Sequence, residues 1–165
     1  MSGAIRVLAA DLGDPAQAEA VVRLVDGYAR DPMGGGEPLA ADARARLLPG
    51  LRAEPGTRVW LAFSGDEAVG VAVCFLSFCT FEARRLINVH DLAVAAGHRR
   101  RGVARRLLEA VEAGARALGC CRITLEVRED NAPARALYAR FGMAGLEYAG
   151  VPETTLFLAK PIQVR

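Results

Sequence analysis

The chain has 165 residues, a formal net charge of +2, 52 % hydrophobic residues and 24 % charged ones. That length suits one domain with a real core, so a single domain over residues 1–165 is expected. The charge is too small for general nucleic-acid binding. No apolar run reaches the length of a bilayer span, and Met1-Ser2-Gly3-Ala4-Ile5-Arg6 lacks a signal-peptide pattern. The expectation is a cytoplasmic protein with neither a membrane nor a nucleic-acid partner.

Lys160 is the only lysine, and alanine, glycine and arginine abound, which points to a GC-rich, bacterial type of coding genome. The cysteines are Cys74, Cys79, Cys120 and Cys121. None forms a Cys-x-x-Cys pair and there are only two histidines, so no metal site is expected. Buried thiols in a reducing compartment are the simpler reading.

In chain order, Ile5 to Leu8 reads as a short strand. Asp14 caps a helix that starts at Pro15 and runs to about Arg30, with Val21, Leu24, Val25 and Tyr28 at helical spacing. The segment Asp31 to Pro38 breaks it, and its Gly34-Gly35-Gly36 run allows movement. A second helix covers Ala40 to Leu51. Val59 to Phe63 and Ala68 to Cys79 form a hairpin across Ser64-Gly65-Asp66-Glu67. Arg84 to Val94 is the next strand, and a helix follows from Arg105 to Leu118, ended by Gly119. Arg122 to Val127 is a strand, Asn131 caps a helix that Gly142 ends, and Leu146–Tyr148 and Thr154–Ala159 finish the sheet. The order describes a mixed α/β domain around one sheet. Of Phe75, Phe78 and Phe81, at least two are expected in the core.

The junction Arg99-Arg100-Arg101-Gly102-Val103-Ala104 lies where a strand gives way to a helix. A helix start carries unpaired N–H groups and the positive end of the macrodipole. Small residues let an anion approach the main chain, and arginines supply forked donors for phosphate oxygens. The junction reads as a seat for a pyrophosphate.

Residues Asn88 to Phe141 resemble the GNAT superfamily of acyl-CoA-dependent N-acyltransferases. Its signature is Arg or Gln, two residues, Gly, one residue, then Gly or Ala, and Arg99 to Ala104 matches it. Leu125-Glu126-Val127, Asn131, Leu137-Tyr138 and Phe141-Gly142-Met143 continue the likeness. The resemblance implies the GNAT fold, a mixed, mostly antiparallel sheet of about seven strands flanked by about four helices. It implies acetyl-CoA as co-substrate and an amine of a small molecule or peptide as acceptor. Leu92, Ala93 and Val94 would then lie along the pantetheine. Arg99, Arg100, Arg101, Gly102, Val103, Ala104 and Arg105 would hold the pyrophosphate. Asn131 would cap its helix, hold the cofactor's far arm, or both. Tyr138 would protonate the departing thiolate, and the Val94 N–H would meet the oxyanion. The family's final strands often associate, so a homodimer is compatible.

Strand alternation places Asn88, His90, Leu92 and Val94 on one face, which makes His90 a candidate base. Asp91, Glu126 and a base acting through water are its rivals. An acyl-CoA-binding regulatory module without catalysis is the alternative to an enzyme.

Overall fold

The computed structural model describes residues 4–143. They fall into two compact units that divide after Arg128. The first unit holds β1 (Ile5–Ala9), α1 (Pro15–Ala29), α2 (Ala41–Ala53), β2 (Thr57–Ser64), β3 (Glu67–Cys79), β4 (Arg84–Val94), a short 3₁₀ turn (Ala96–His98), α3 (Val103–Ala117) and β5 (Ile123–Leu125). The second holds α4 (Ala132–Arg140).

The sheet runs β1-β2-β3-β4-β5 in space. Its first four strands are antiparallel neighbours, and β5 lies parallel to β4. Short turns join β2 to β3 and β3 to β4, α1 and α2 intervene between β1 and β2, and the parallel pair needs a crossover, which α3 supplies. About seven strands were expected, and the described residues form five. The two final strands fall at 146–148 and 154–159, outside the described residues. The strand expected over Arg122–Val127 is also shorter, at Ile123–Leu125, because β5 finds a partner only along Ile87–Val89.

The helices cover both faces. Val21, Leu24 and Val25 of α1 and Leu51 of α2 pack on Val59, Leu61, Val71, Val73 and Ala93. On the other face, Val103, Leu107 and Val111 of α3 pack against Trp60, Ala62, Val69, Ile87 and Val89. Strands covered on both faces bury successive residues, and Ala68 to Cys74 of β3 are all buried. Two glycines let α3 lie close to the sheet. A Cβ on Gly70 would meet Val103 Cγ1 at 2.9 Å, and one on Gly114 would meet Trp60 Cζ2 at 2.5 Å.

The far ends of β3 and β4 escape this cover. Phe78 is 58 % and Phe81 101 % exposed, and Phe75 is partly buried. The expectation that two of these three rings are core residues is therefore corrected. Among the described residues, the hairpin extends past α1, α2 and α3, which leaves its outer rings exposed.

Candidate functional site

The site is built around an irregularity in β4. Val73 pairs with Asp91 and Cys74 with Val89, which leaves His90 as an extra residue. A bulge of this kind reverses the alternation of side chains beyond it. Ile87 and Val89 pack on the α3 face before the bulge, and Leu92 and Val94 pack on that same face after it. Ala93 joins the α1–α2 face, as does Phe75, whose ring meets the His90 imidazole edge-on at 5.6 Å. The expected common face of Asn88, His90, Leu92 and Val94 is therefore split. His90 lies with the α1–α2 side, and Leu92 and Val94 lie with the α3 side.

The bulge also marks where β5 stops pairing with β4, since the last parallel pair is Val89 with Leu125. The Ala95 N–H donates to the Val69 carbonyl at 2.8 Å. Antiparallel alternation then turns Ala93 and Asp91 toward β3, and turns the N–H and C=O of Leu92 and Val94 to the opposite edge. The Val94 carbonyl there accepts from Arg99 Nε at 3.2 Å. A short stretch of β4 thus offers main-chain groups to an extended ligand.

That stretch leads directly into the arginine–glycine junction. Arg100 and Gly102 adopt left-handed backbone, with φ of 59° and 79°. Gly102 is the N-cap of α3, and among the described residues no side chain makes a capping hydrogen bond there. The first main-chain bond of the helix start runs from the Arg106 N–H to the Gly102 carbonyl, at 3.1 Å. The N–H groups of Val103, Ala104 and Arg105 precede it and face outward with the positive end of the helix dipole. Arg100, Arg101 and Arg105 are exposed around them, and Arg105 pairs with Glu109 at 2.9 Å. Arg99 turns away to reach Asp31 at 2.8 Å, linking the strand end to the loop after α1.

That loop is more ordered than its glycines imply. The Asp31 carbonyl accepts from the N–H groups of Gly34, Gly35 and Gly36, and its carboxylate accepts from Met33 N–H at 2.8 Å. The Met33 N–H and the Arg99 guanidinium hold the Asp31 carboxyl below its usual range. Gly34 is required sterically, because a Cβ there would fall 2.0 Å from the Tyr28 carbonyl. The buried Asp26 anchors the loop's other end. It accepts from Leu39 N–H at 2.9 Å and pairs with Arg30 and Arg44, each at 3.0 Å. These glycines serve a tight turn, where the sequence had suggested freedom of movement.

Between this loop and the bulge sits an acidic and aromatic group. His90 Nδ1 lies 3.4 Å from the Asp91 carboxylate. Burial pushes the Asp91 carboxyl up, and His90 partly offsets this. Burial also raises the Tyr28 phenol, with Asp91 and Asp31 adding to the effect. Tyr28 and Asp31 are absent from the residues that sequence reasoning selected. Their signal was the Asp-Pro break one turn after Tyr28, which reads as a helix stop and carries no chemistry by itself.

Glu126 follows the end of β5 and is exposed. In the second unit, Asn131 caps α4 by accepting from Ala134 N–H at 3.2 Å. Tyr138 lies on α4 and is partly buried.

Comparison with known proteins decides the family. Residues 22–143 match the model of the acetyltransferase (GNAT) family. The chain belongs to that family. A streptothricin acetyltransferase of Streptomyces lavendulae is 34 % identical over 102 residues, covering 61 % of this chain and 51 % of the relative. The matched region therefore spans about half of that protein's length. Among solved structures, a possible acetyltransferase of Clostridium difficile 630 has a TM-score of 0.78 at 15 % identity, covering 96 % of this chain and 99 % of its own. An aminoglycoside acetyltransferase from an uncultured soil metagenomic sample, solved with sisomicin, has a TM-score of 0.74 at 14 % identity, covering 96 % and 97 %. At these identities the structures establish a shared GNAT fold. Among the described residues, no helix is long and apolar enough to cross a membrane.

Proposed function

We propose that this GNAT protein is an enzyme that transfers the acetyl group of acetyl-CoA to a primary amine, by direct attack and without a covalent enzyme intermediate. The observation that carries the reading is the continuous run, among the described residues, from the edge of β4 that β5 leaves unpaired beyond Val89 to the start of α3. Leu92, Ala93 and Val94 would lie along the pantetheine, with the outward main-chain groups of Leu92 pairing with its amides and the Val94 N–H kept for the thioester carbonyl. The N–H groups of Gly102 to Arg105 would take the pyrophosphate, with Arg100 and Arg101 beside them. Arg99 supports this seat by holding the Asp31 loop.

In this scheme His90 accepts the amine proton, directly or through a water, and Asp91 orients the imidazole. The neutral amine attacks the thioester carbonyl. The Val94 N–H meets the oxyanion, and Tyr138 returns a proton to the departing thiolate. Asn131 is assigned to the cofactor's outer arm in addition to its capping role.

What supports a cationic acceptor is the group beside the bulge. The carboxylates of Asp91 and Asp31, with the rings of Tyr28 and Phe75, suit a cationic amine. The streptothricin and aminoglycoside relatives make cationic antibiotics the first acceptors to test.

Calorimetry with acetyl-CoA and CoA should show saturable binding at one site per chain. An acetyl-CoA consumption screen over cationic small molecules, amino acids and peptides should then find turnover. Absence of CoA binding to folded protein would overturn the proposal. Tight binding with no turnover on any amine would convert it to a regulatory module.

A further inference from the structure

At the opposite end of β4, ten residues and about 30 Å of strand from Val94, three chemistry-bearing side chains converge. Cys79 closes β3, Glu82 sits in the β3–β4 turn, and Cys121 lies between α3 and β5. Their ligand atoms all fall within 4.8 Å of one another. Two backbone interactions bring them together: Cys79 pairs with Arg84 across the hairpin, and the Cys121 N–H donates to the Arg85 carbonyl at 2.8 Å. None of the three takes part in the acyl-transfer scheme.

We propose that Cys79, Cys121 and Glu82 form a binding site for a thiophilic divalent cation of the zinc type, with water completing a tetrahedral shell. Two sulfurs and a carboxylate oxygen are an ordinary donor set for such an ion. Zinc holds sulfur at about 2.3 Å and oxygen at about 2.0 Å, which puts ligand atoms roughly 3.5–3.8 Å apart. From within 4.8 Å, the ligand atoms would close by about 1 Å to reach that spacing. On binding, both thiol protons leave to solvent. The ionised ligands then carry three negative charges, and the ion together with Arg122 returns three positive ones.

Arg122 pairs with the Glu82 carboxylate and, with Cys121, holds that carboxyl below its usual range. Such a partner orients a metal-ligating carboxylate. Cys120 is outside the cluster, and burial pushes its thiol up. A disulfide would use the two sulfurs and leave Glu82 without a part. The bound ion would tie the hairpin turn to the segment after α3, a contact that sequence spacing hides because the cysteines lie far apart in the chain.

The test is cobalt titration of the full chain, kept reduced with a phosphine, followed by competition with zinc. One Co²⁺ per chain should bind and produce thiolate-to-cobalt charge-transfer absorption that zinc abolishes. Cys79→Ser and Cys121→Ser should lose the band, Glu82→Gln should weaken binding, and Cys120→Ser should retain both band and affinity. Circular dichroism and CoA binding check that each variant is folded. No uptake by the reduced protein overturns the proposal, as does an unchanged band in Cys79→Ser. Peroxide-driven formation of a Cys79–Cys121 disulfide in a chain that takes up no cobalt would make the cluster a redox pair and equally overturn it.

Discussion

Gly114→Ala and Gly27→Ala make the same chemical change on two helices, and the structure assigns them opposite signs. Alanine in place of a helical glycine contributes about 0.8–1.0 kcal/mol of propensity. At Gly27 a Cβ meets nothing within 4 Å, so α1 should retain that gain. At Gly114 the Cβ would lie 2.5 Å from Trp60 Cζ2, 3.2 Å from Cη2 and 3.5 Å from Cε2. Carbon atoms pack at about 3.5–4.0 Å, so ring or helix must give way by about 1 Å. Trp60 is 7 % exposed and packed among core residues, so it has little room to move. Overpacking of this kind costs about 1–3 kcal/mol, and an approach this close belongs at the upper end. The net expectation is a loss of about 2 kcal/mol for Gly114→Ala and a gain of about 1 kcal/mol for Gly27→Ala. For a chain of this size each kcal/mol moves Tm by about 2–4 °C. Urea unfolding and calorimetric melts of both variants measure the difference. Equal stabilisation by both would refute the seating of α3 on Trp60. Because α3 also presents its N-terminus to the proposed pyrophosphate, Gly114→Ala should weaken CoA binding while Gly27→Ala leaves it unchanged.

Three further outcomes are expected. Gly102→Val forces a branched side chain into left-handed backbone at the start of α3, and CoA affinity measured by calorimetry should fall by about tenfold or more, the equivalent of roughly 1.4 kcal/mol. Asp91 has a raised carboxyl pKa in the folded state, so folding favours its protonated form and loses stability as pH rises from the unfolded value through the folded one. Asp91→Asn should therefore stabilise the fold at neutral pH, lose that advantage below the ordinary carboxylate range, and lower turnover; denaturant melts across pH together with initial rates check this. Tyr138→Phe should reduce kcat with little change in CoA affinity, and unimpaired turnover would remove Tyr138 from the acid role.

The pattern of residues along the chain was enough to place α1 from its Asp14–Pro15 cap and its apolar spacing, since both are local signals. The hairpin of β2 and β3 and the extent of β4 were legible for the same reason. The start of α3 was legible too, as a Gly-bearing motif between an apolar strand and an amphipathic helix. The bulge was not. Whether His90 is an extra residue depends on which β3 residues pair beside it, and no local pattern contains that register. One inserted residue moved Leu92 and Val94 to the face opposite His90, separating the proposed base from the strand edge expected to hold the cofactor. The exposure of Phe78 and Phe81 likewise depends on how far the hairpin outruns the helices. The loop glycines read as freedom, whereas Asp31 and Asp26 turn them into a pinned corner. Tyr28 with Asp91, and Cys79 with Glu82 and Cys121, are neighbours only after folding. Hydrophobic periodicity and capping act over a few residues and are written in the chain, whereas strand register, close approach and convergence of distant side chains are set when the layers pack.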